Sequence, residues 1–278
     1  MPPIEGHLSL EQTVKLLRRW LVNGPPNSGK TFSWYTLPGK AIQAITYPRE
    51  LGHITMPWAT KAGVPIKHYY WELDVAQEID WKRLATEVEV VTREILLGKK
   101  GPCDTFVGDG LHKLYSVMFM AECEGHPELV DEKLVGRKYG NTHERFWKYI
   151  DMVLACGIPY VAMSCWDGAD KDNVLDKSKE ATRHMYPDLP GQAAKQIMGK
   201  FSVVFSARTI GTGDAQMFRF QTRAGGDTRG AGVKVPPHVK DAVKKILDYE
   251  LEQDWSAFDT KMVKAVTEAW TITQGVLA

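Results

Sequence analysis

The sequence has few cysteines, almost no net charge and no long hydrophobic run. Its cysteines form no Cys-x-x-Cys pair, and three of the four lie in or beside apolar segments. This pattern favours free thiols in a reducing compartment over a disulfide framework, and it concerns Cys103, Cys123, Cys156 and Cys165. Cys123 and His126 resemble one half of a zinc site, but no second pair of ligands stands near them in the sequence, which argues against zinc.

The chain also lacks targeting signals. Its start, MPPIEGHLSL, has no basic residue followed by an apolar core, and no run approaches the length of a membrane span. We therefore expect a cytoplasmic protein with no membrane partner. The net charge of +1 excludes a global field that attracts nucleic acid, so any such binding must come from a local patch.

What is present is an ordinary globular composition, with 278 residues, 44% of them hydrophobic and 25% charged. Apolar runs bounded by glycine or proline predict buried strands at 20–22, 41–48, 66–73, 104–110 and 158–164. Apolar residues at helical spacing predict helices at 9–19, 79–97, 111–124 and 143–156. This alternation predicts an α/β fold with a mostly parallel sheet flanked by helices.

The last third of the chain has a different pattern. A charged stretch at 165–195 is expected to be a long loop that could hold one short helix, and 224–232 a glycine-rich loop. Residues 201–208 and 216–223 predict an antiparallel hairpin, and helices are expected at 238–251 and 259–273. We therefore predict a core domain over 1–237 and a C-terminal helical appendage over 238–278 that packs on it.

The segment GPPNSGKT satisfies the pattern G-x-x-x-x-G-K-[ST] of a phosphate-binding loop. Such a loop curls so that successive N–H groups point at one anion, which glycine and Asn27 permit, and a helix starting near Gly29 would add its positive end. Lys30 is expected to reach the β- and γ-phosphates of ATP, and the Thr31 hydroxyl to ligate Mg²⁺. A chance Gly/Pro-rich turn is the alternative. The predicted nucleotide-binding residues are Gly24, Pro25, Pro26, Asn27, Ser28, Gly29, Lys30, Thr31 and Phe32.

A second carboxylate should close a neighbouring strand and help to hold the magnesium. Asp109 ends the apolar run 105–108 and is the best candidate. The alternative is that Asp109 and Gly110 only form a turn, because an Asp-Gly pair is also typical of turns. Gly110, not glutamate, follows it, so a catalytic base must come from elsewhere. Glu50 would lie beside the phosphates if strand 41–48 neighbours the P-loop strand; a solvated loop glutamate is equally compatible with its position.

Four segments together resemble the RecA-like P-loop ATPases of bacteriophages, in particular the phage AAA-domain nucleotide-binding proteins that include the Sak-type single-strand annealing ATPases. The segments are GPPNSGKTFSWYTLPGKA, DTFVGDGLHKL, GIPYVAMS and PDLPGQAAKQIMGKFSVVF, and the resemblance covers roughly residues 18–240. It implies a RecA-like fold and a Mg²⁺-dependent ATPase that acts on single-stranded DNA in recombination, replication or repair. A homo-oligomer, either ring or filament, in the host cytoplasm is implied as well.

The resemblance also implies residue roles. It places Lys30 and Thr31 on the phosphates and magnesium, Asp109 in the Walker B role and Glu50 as the catalytic base. Ser164, at the end of the strand after Walker B, takes the sensor position, where the family carries a polar residue such as Gln or His. That difference puts the coupling between phosphate sensing and DNA binding in question.

DNA contacts are expected from loops that follow the sensor. The charged stretch supplies Lys171, Lys177 and Arg183, but its acidic residues make a solvated loop an equal alternative. Trp166 and Tyr186 could stack on bases or pack on the domain. A later and more uniformly basic segment could reach the nucleotide of an adjacent subunit through Arg223, Arg229 or Lys234.

Three other functions fit the same motifs. These are a packaging-motor or helicase-loader ATPase, a nucleotide-dependent assembly protein with negligible turnover, and a small-molecule kinase.

Overall fold

The structure is a computed structural model that describes residues 9–39, 41–46, 66–71, 79–125, 135–169, 185–190, 192–211, 216–222, 232–234, 240–241, 243 and 250–277. The strands are β1 Arg19–Gly24, β2 Ile42–Thr46, β3 Ile66–Tyr70, β4 Thr105–Asp109, β5 Tyr160–Ala169, β6 Met185–Pro187, β7 Val203–Ile210, β8 Met217–Gln221, β9 Gly232–Val233 and β10 Glu250–Glu252. The helices are α1 Leu10–Leu17, α2 Lys30–Ser33, α3 Trp81–Leu96, α4 Leu111–Gly125, α5 Val135–Leu154, α6 Gln192–Lys200 and α7 Trp255–Leu277, and a 3₁₀ turn, Trp34–Thr36, follows α2.

The described strands form one mixed sheet in the order β10-β8-β7-β1-β5-β4-β2-β3, with β6 beside β5 and β9 beside β7. The strands from β7 to β3 in this order run parallel to one another. Strand β8 is antiparallel to β7, and β10 is antiparallel to β8. The predicted α/β class, the mostly parallel sheet and the hairpin are therefore confirmed. Because parallel strands end together, β1, β5, β4 and β2 all present their carboxyl ends at one edge of the sheet.

The sheet order does not meet the condition on which the position of Glu50 was argued. That condition was a strand 41–48 beside β1, but β2 pairs with β4 and β3, and both β5 and β4 separate it from β1. Thr46, the last residue of β2, is instead in register with Asp109. Glu50 lies outside the described residues, and its predicted catalytic role stays a prediction.

Both faces of the sheet are covered, as alternate residues of β1 illustrate. Leu21 points into a core formed with α3, α4, α5 and α6, whereas Trp20 and Val22 point into a second core with α1 and α7. In that second core the Trp20 ring stacks on Trp255 of α7 at a centroid distance of 4.8 Å. A capping box at Ser9 fixes the start of α1. No described helix combines the length and the apolarity that a membrane crossing requires.

The C-terminal segment takes part in the sheet. Leu251, in the last part of the helix predicted at 238–251, instead pairs with Phe220 as a residue of β10. Trp255, at the start of α7, is fully buried against strands and against Trp34 of the 3₁₀ turn after α2. The segment from 250 onwards, which was predicted to belong to an appendage, therefore shares a core with β1, β7 and β8.

Three other element boundaries differ from the prediction. Residues 165–169, expected to begin a loop, continue β5, and residues 192–195 already belong to α6. Helix α5 begins at Val135, eight residues before the predicted start at 143. The prediction started too late because the first two turns are mostly polar and show weak apolar periodicity.

Candidate functional site

The loop between β1 and α2 has the tight curl that the motif predicts. Asn27 and Gly29 both adopt the left-handed conformation, at φ 62° and 81°. A Cβ on Gly29 would lie 2.6 Å from Cγ of Phe218, and a Cβ on Gly24 would lie 2.5 Å from the carbonyl oxygen of Ala207. Both glycines are therefore required by close packing, and at Gly29 also by the backbone.

Lys30 is folded back into this loop. Its Nζ donates to the carbonyl oxygens of Gly24 at 2.8 Å and Pro25 at 2.7 Å, and lies 3.3 Å from the Ser28 hydroxyl. Helix α2 begins at Lys30, close to the predicted position, but ends after four residues. Its dipole is accordingly small, and the ammonium group and the loop N–H groups dominate the positive potential here.

Three residues that are distant in sequence meet at a single carboxylate. Thr31 Oγ1 donates to Asp109 Oδ2 at 3.0 Å, and the Ser164 hydroxyl donates to the other oxygen, Oδ1. The Gly110 N–H donates to Ser164 Oγ at 2.9 Å, which fixes this hydroxyl from the opposite side. Asp109 is 7% exposed, so its charge acts in a setting with little solvent screening. The structure thus brings Thr31, Asp109 and Ser164 together, as predicted.

This donor set fits magnesium only together with a phosphate. The described residues hold no cluster of three or more Asp, Glu, His or Cys side chains that could bind a metal alone. Mg²⁺ commonly takes one or two carboxylates, substrate phosphate oxygens and several waters, rather than a complete protein cage. One hydroxyl from Thr31 and one carboxylate from Asp109 match the protein share of such a shell.

On one side, the site is bordered by an aromatic and cationic cluster. His112 stacks on Trp166 with 4.4 Å between ring centroids, and Lys113 Nζ lies 5.0 Å from the centre of the Trp166 ring. Desolvation, reinforced by Lys113 and Lys30, lowers the pKa of His112 to about 3, so its ring is neutral at neutral pH. His112 and Lys113 were not predicted from the sequence, although their position directly after the strand that ends in Asp109 was a usable signal.

Two phenylalanines border the other side. Phe32, in α2, is 44% exposed, and its ring centroid lies 6.2 Å from that of Phe218 in β8. The cavity between the two sides has a volume of about 460 Å³. That volume is within the usual range for small-molecule sites. Besides the loop residues 26–32, its lining consists of Asp109, Gly110, His112, Lys113, Ser164, Trp166, Gln216 and Phe218.

Residues of the C-terminal segment hold the loop and α2 in place through hydrogen bonds. Gln253 Nε2 donates to the Ser28 carbonyl oxygen at 2.8 Å and to the Arg219 carbonyl oxygen at 3.2 Å. Trp255 Nε1 donates to Ser33 Oγ at 3.0 Å, which attaches α7 to α2. Nothing in the local sequence identifies Gln253 as part of the site, because its role depends on pairing between β10 and β8.

Among the residues predicted to contact DNA or a neighbouring subunit, Lys234 is the one that the structure describes, and it does not lie at this site. Lys234 follows β9, which pairs with Val203 and Val204 at the amino end of β7, the end away from the P-loop. Its Nζ donates to the Met198 carbonyl oxygen at 2.6 Å, and burial lowers its pKa. The predicted DNA or trans contacts Lys171, Lys177, Arg183, Arg223 and Arg229 lie outside the described residues.

Neither a protein-family model nor any curated protein gave a match to this chain.

Proposed function

We propose that this chain is a RecA-like P-loop ATPase that binds ATP with Mg²⁺, hydrolyses it, and acts on single-stranded DNA in bacteriophage recombination, replication or repair. The observation that carries the nucleotide part is the hydrogen bond between Thr31 and Asp109. It joins the residue after the motif lysine to a carboxylate 78 positions away, at the carboxyl edge of a parallel sheet where ligands of such folds bind.

Lys30 supplies the charge that recognises the phosphates. Its ammonium group is hydrogen-bonded to loop carbonyl oxygens, and phosphate binding would exchange these neutral acceptors for charged phosphate oxygens. Thr31 and Asp109 would hold Mg²⁺, which neutralises charge that develops on the phosphates when it is bound. The curled backbone of the loop supplies N–H donors around the same anion.

Ser164 fits the sensor role because of where its strand lies. β5 runs between the P-loop strand β1 and the Asp109 strand β4, and its Ser164 hydroxyl touches the Asp109 carboxylate. A rearrangement at Asp109 would therefore shift Ser164 in β5, and with it Trp166, two residues further along the strand. We retain Glu50 as the proposed base, since β2 ends beside Asp109 four residues before it.

The DNA part of the proposal comes from the resemblance and from the Trp166 cluster. A cation beside an aromatic ring is the combination that proteins use to bind single strands without reading their sequence. Lys113 and Trp166 provide it next to the nucleotide cavity, so DNA bound there would lie close to the residues that surround the phosphates.

A second candidate is a nucleotide-dependent assembly protein with negligible turnover. Asp109 is the one carboxylate among the described residues that line the cavity, and it is already engaged by Thr31 and Ser164. A fast hydrolase needs a base within reach of the attacking water. Measuring ATP turnover with and without single-stranded DNA separates the two functions, because stimulated turnover excludes the assembly protein.

Lys30→Ala tests the nucleotide site itself. We expect it to abolish ATP binding and turnover without unfolding the chain, because Lys30 contributes charge to the loop rather than apolar packing. Lys148→Ala is the matched control, since that lysine is exposed on α5 and pairs only locally with Glu144. A folded Lys30→Ala protein with unchanged affinity and turnover would remove the P-loop assignment.

A further inference from the structure

The position of the proposed magnesium ligands indicates how a nucleotide would lie in the cavity. Thr31 and Asp109 mark the end where the β- and γ-phosphates and the metal belong, and this end faces β4 and β5. The rest of a nucleoside triphosphate must extend away from it. The lining at the opposite end comes from β8, on the other side of β1, and consists of Phe218 with Gln216 before it.

Phe218 is a rigid part of that end. Side chains two apart in a strand share a face, so Phe218 lies on the same face as Phe220, whose buried ring packs on Trp255 at a centroid distance of 4.6 Å. On its other flank Phe218 packs so closely on Gly29 that a Cβ there would lie 2.6 Å away. Its ring is therefore held against the phosphate loop.

Phe32 completes an aromatic pair at this end. It follows the motif Thr31 directly, and its ring is tilted by 33° to that of Phe218. An aromatic side chain that is 44% exposed at the mouth of a phosphate-binding cavity offers a surface for another flat ring.

We propose that Phe32 and Phe218 form the nucleobase subsite, in which the purine ring of the bound nucleotide stacks on the aromatic pair. The inference rests on the proposed nucleotide site and adds the residues that recognise its base. Trp166, the third phenylalanine or tryptophan ring of the cavity lining, lies at the end that the metal ligands occupy and not at the end where the base belongs.

Comparing ATP with inorganic tripolyphosphate, which has the phosphates but no base, isolates this subsite. In calorimetric titrations with Mg²⁺, we expect Phe218→Leu to weaken ATP binding about 10-fold and to leave tripolyphosphate affinity unchanged. Leucine keeps apolar contact with Gly29 but offers no π-face. Phe218→Tyr should restore ATP affinity, and Met217→Ala, the exposed neighbour on the opposite face of β8, should change neither ligand.

The outcomes separate the subsite from the site. Equal weakening of both ligands by Phe218→Leu would mean that this ring only supports the loop, and would overturn the subsite. A selective loss of ATP affinity in Trp166→Ala, with Phe218→Leu unaffected, would place the base at the other end and overturn it as well. If the wild-type protein binds neither ligand, the proposed function fails and the subsite with it.

Discussion

Replacing Asp109 by asparagine is the sharpest test of the central carboxylate, because it removes one charge and keeps the shape. The asparagine carbonyl oxygen can still accept a hydrogen bond from Ser164, which is fixed by the Gly110 N–H. Its amide group then faces Thr31, whose hydroxyl must change from donor to acceptor. Both contacts survive, but neither involves a charged acceptor any longer.

The effect on folding can be estimated from these two contacts. Hydrogen bonds to charged groups contribute about 1.5–3 kcal/mol and neutral ones about 0.5–1.5, so the loss is about 1 kcal/mol for each contact. Burying a neutral amide costs less than burying a carboxylate, which offsets part of that loss. We expect a destabilisation below about 2 kcal/mol, or a fall in Tm of at most about 8 °C.

The effect on catalysis should be much larger. A metal carboxylate matters most as charge builds on the phosphates, so we expect turnover to fall at least ~100-fold while ATP affinity changes less than about tenfold. The assays are ATP turnover across a Mg²⁺ series, ATP binding by calorimetry, and thermal unfolding. Asp151→Asn is the matched control, because it makes the same change at a carboxylate on α5 that pairs with Lys200. Retained turnover in folded Asp109→Asn would refute the role of this carboxylate.

Two further predictions concern residues that the sequence did not single out. Gln253→Leu leaves the Ser28 and Arg219 carbonyl oxygens without their donor, so we expect a loss of about 1–3 kcal/mol in urea unfolding and weaker ATP binding; unchanged values for both would contradict a supporting role. His112 keeps a pKa of about 3 when folded, whereas an unfolded histidine titrates near 6.5. Between about pH 6.5 and 3 the His112 imidazole therefore binds a proton in the unfolded state but not in the folded state. As the pH falls through this range, His112 lowers the free energy of unfolding by up to about 1.4 kcal/mol per pH unit. His112→Gln should remove that slope in denaturation curves at pH 7 to 4, and an identical slope would exclude His112 as its source.

The parts of the site that were predictable from the sequence are those with local causes. The loop could be located because the dihedral angles at Asn27 and Gly29 suit only a few residue types, and the spacing to Lys30 is set by the same turn. Asp109 could be located because a short buried strand ends there and the carboxyl ends of parallel strands carry ligands. Ser164 was named from the resemblance, as the last residue of the strand predicted at 158–164, whereas β5 continues to Ala169.

The errors concern relations between segments that are far apart in the chain. Hydrophobic patterns show that 42–46 is a buried strand, but not which strands lie beside it, because every fully buried parallel strand has a similar apolar pattern. In the structure the neighbours of β1 are β5 and β7, and β2 is not among them. The pairing of β10 with β8 was missed for a related reason, since a three-residue strand is too short to show a period of two.

The C-terminal segment shows why such distant relations matter for function. Phosphate loops are usually explained by their own glycines, yet the Ser28 peptide here is held by Gln253, and α2 is held by Trp255 through Ser33. Trp255 in turn stacks with Trp20 of β1 and with Trp34 of the turn after α2. An anion bound in the loop as proposed would compete with the carbonyl oxygens that accept from Lys30, so the loop would adjust against this packed layer. If nucleotide binds in this loop as proposed, we expect its binding and the docking of α7 to be coupled through these contacts, so that a change that loosens one loosens the other.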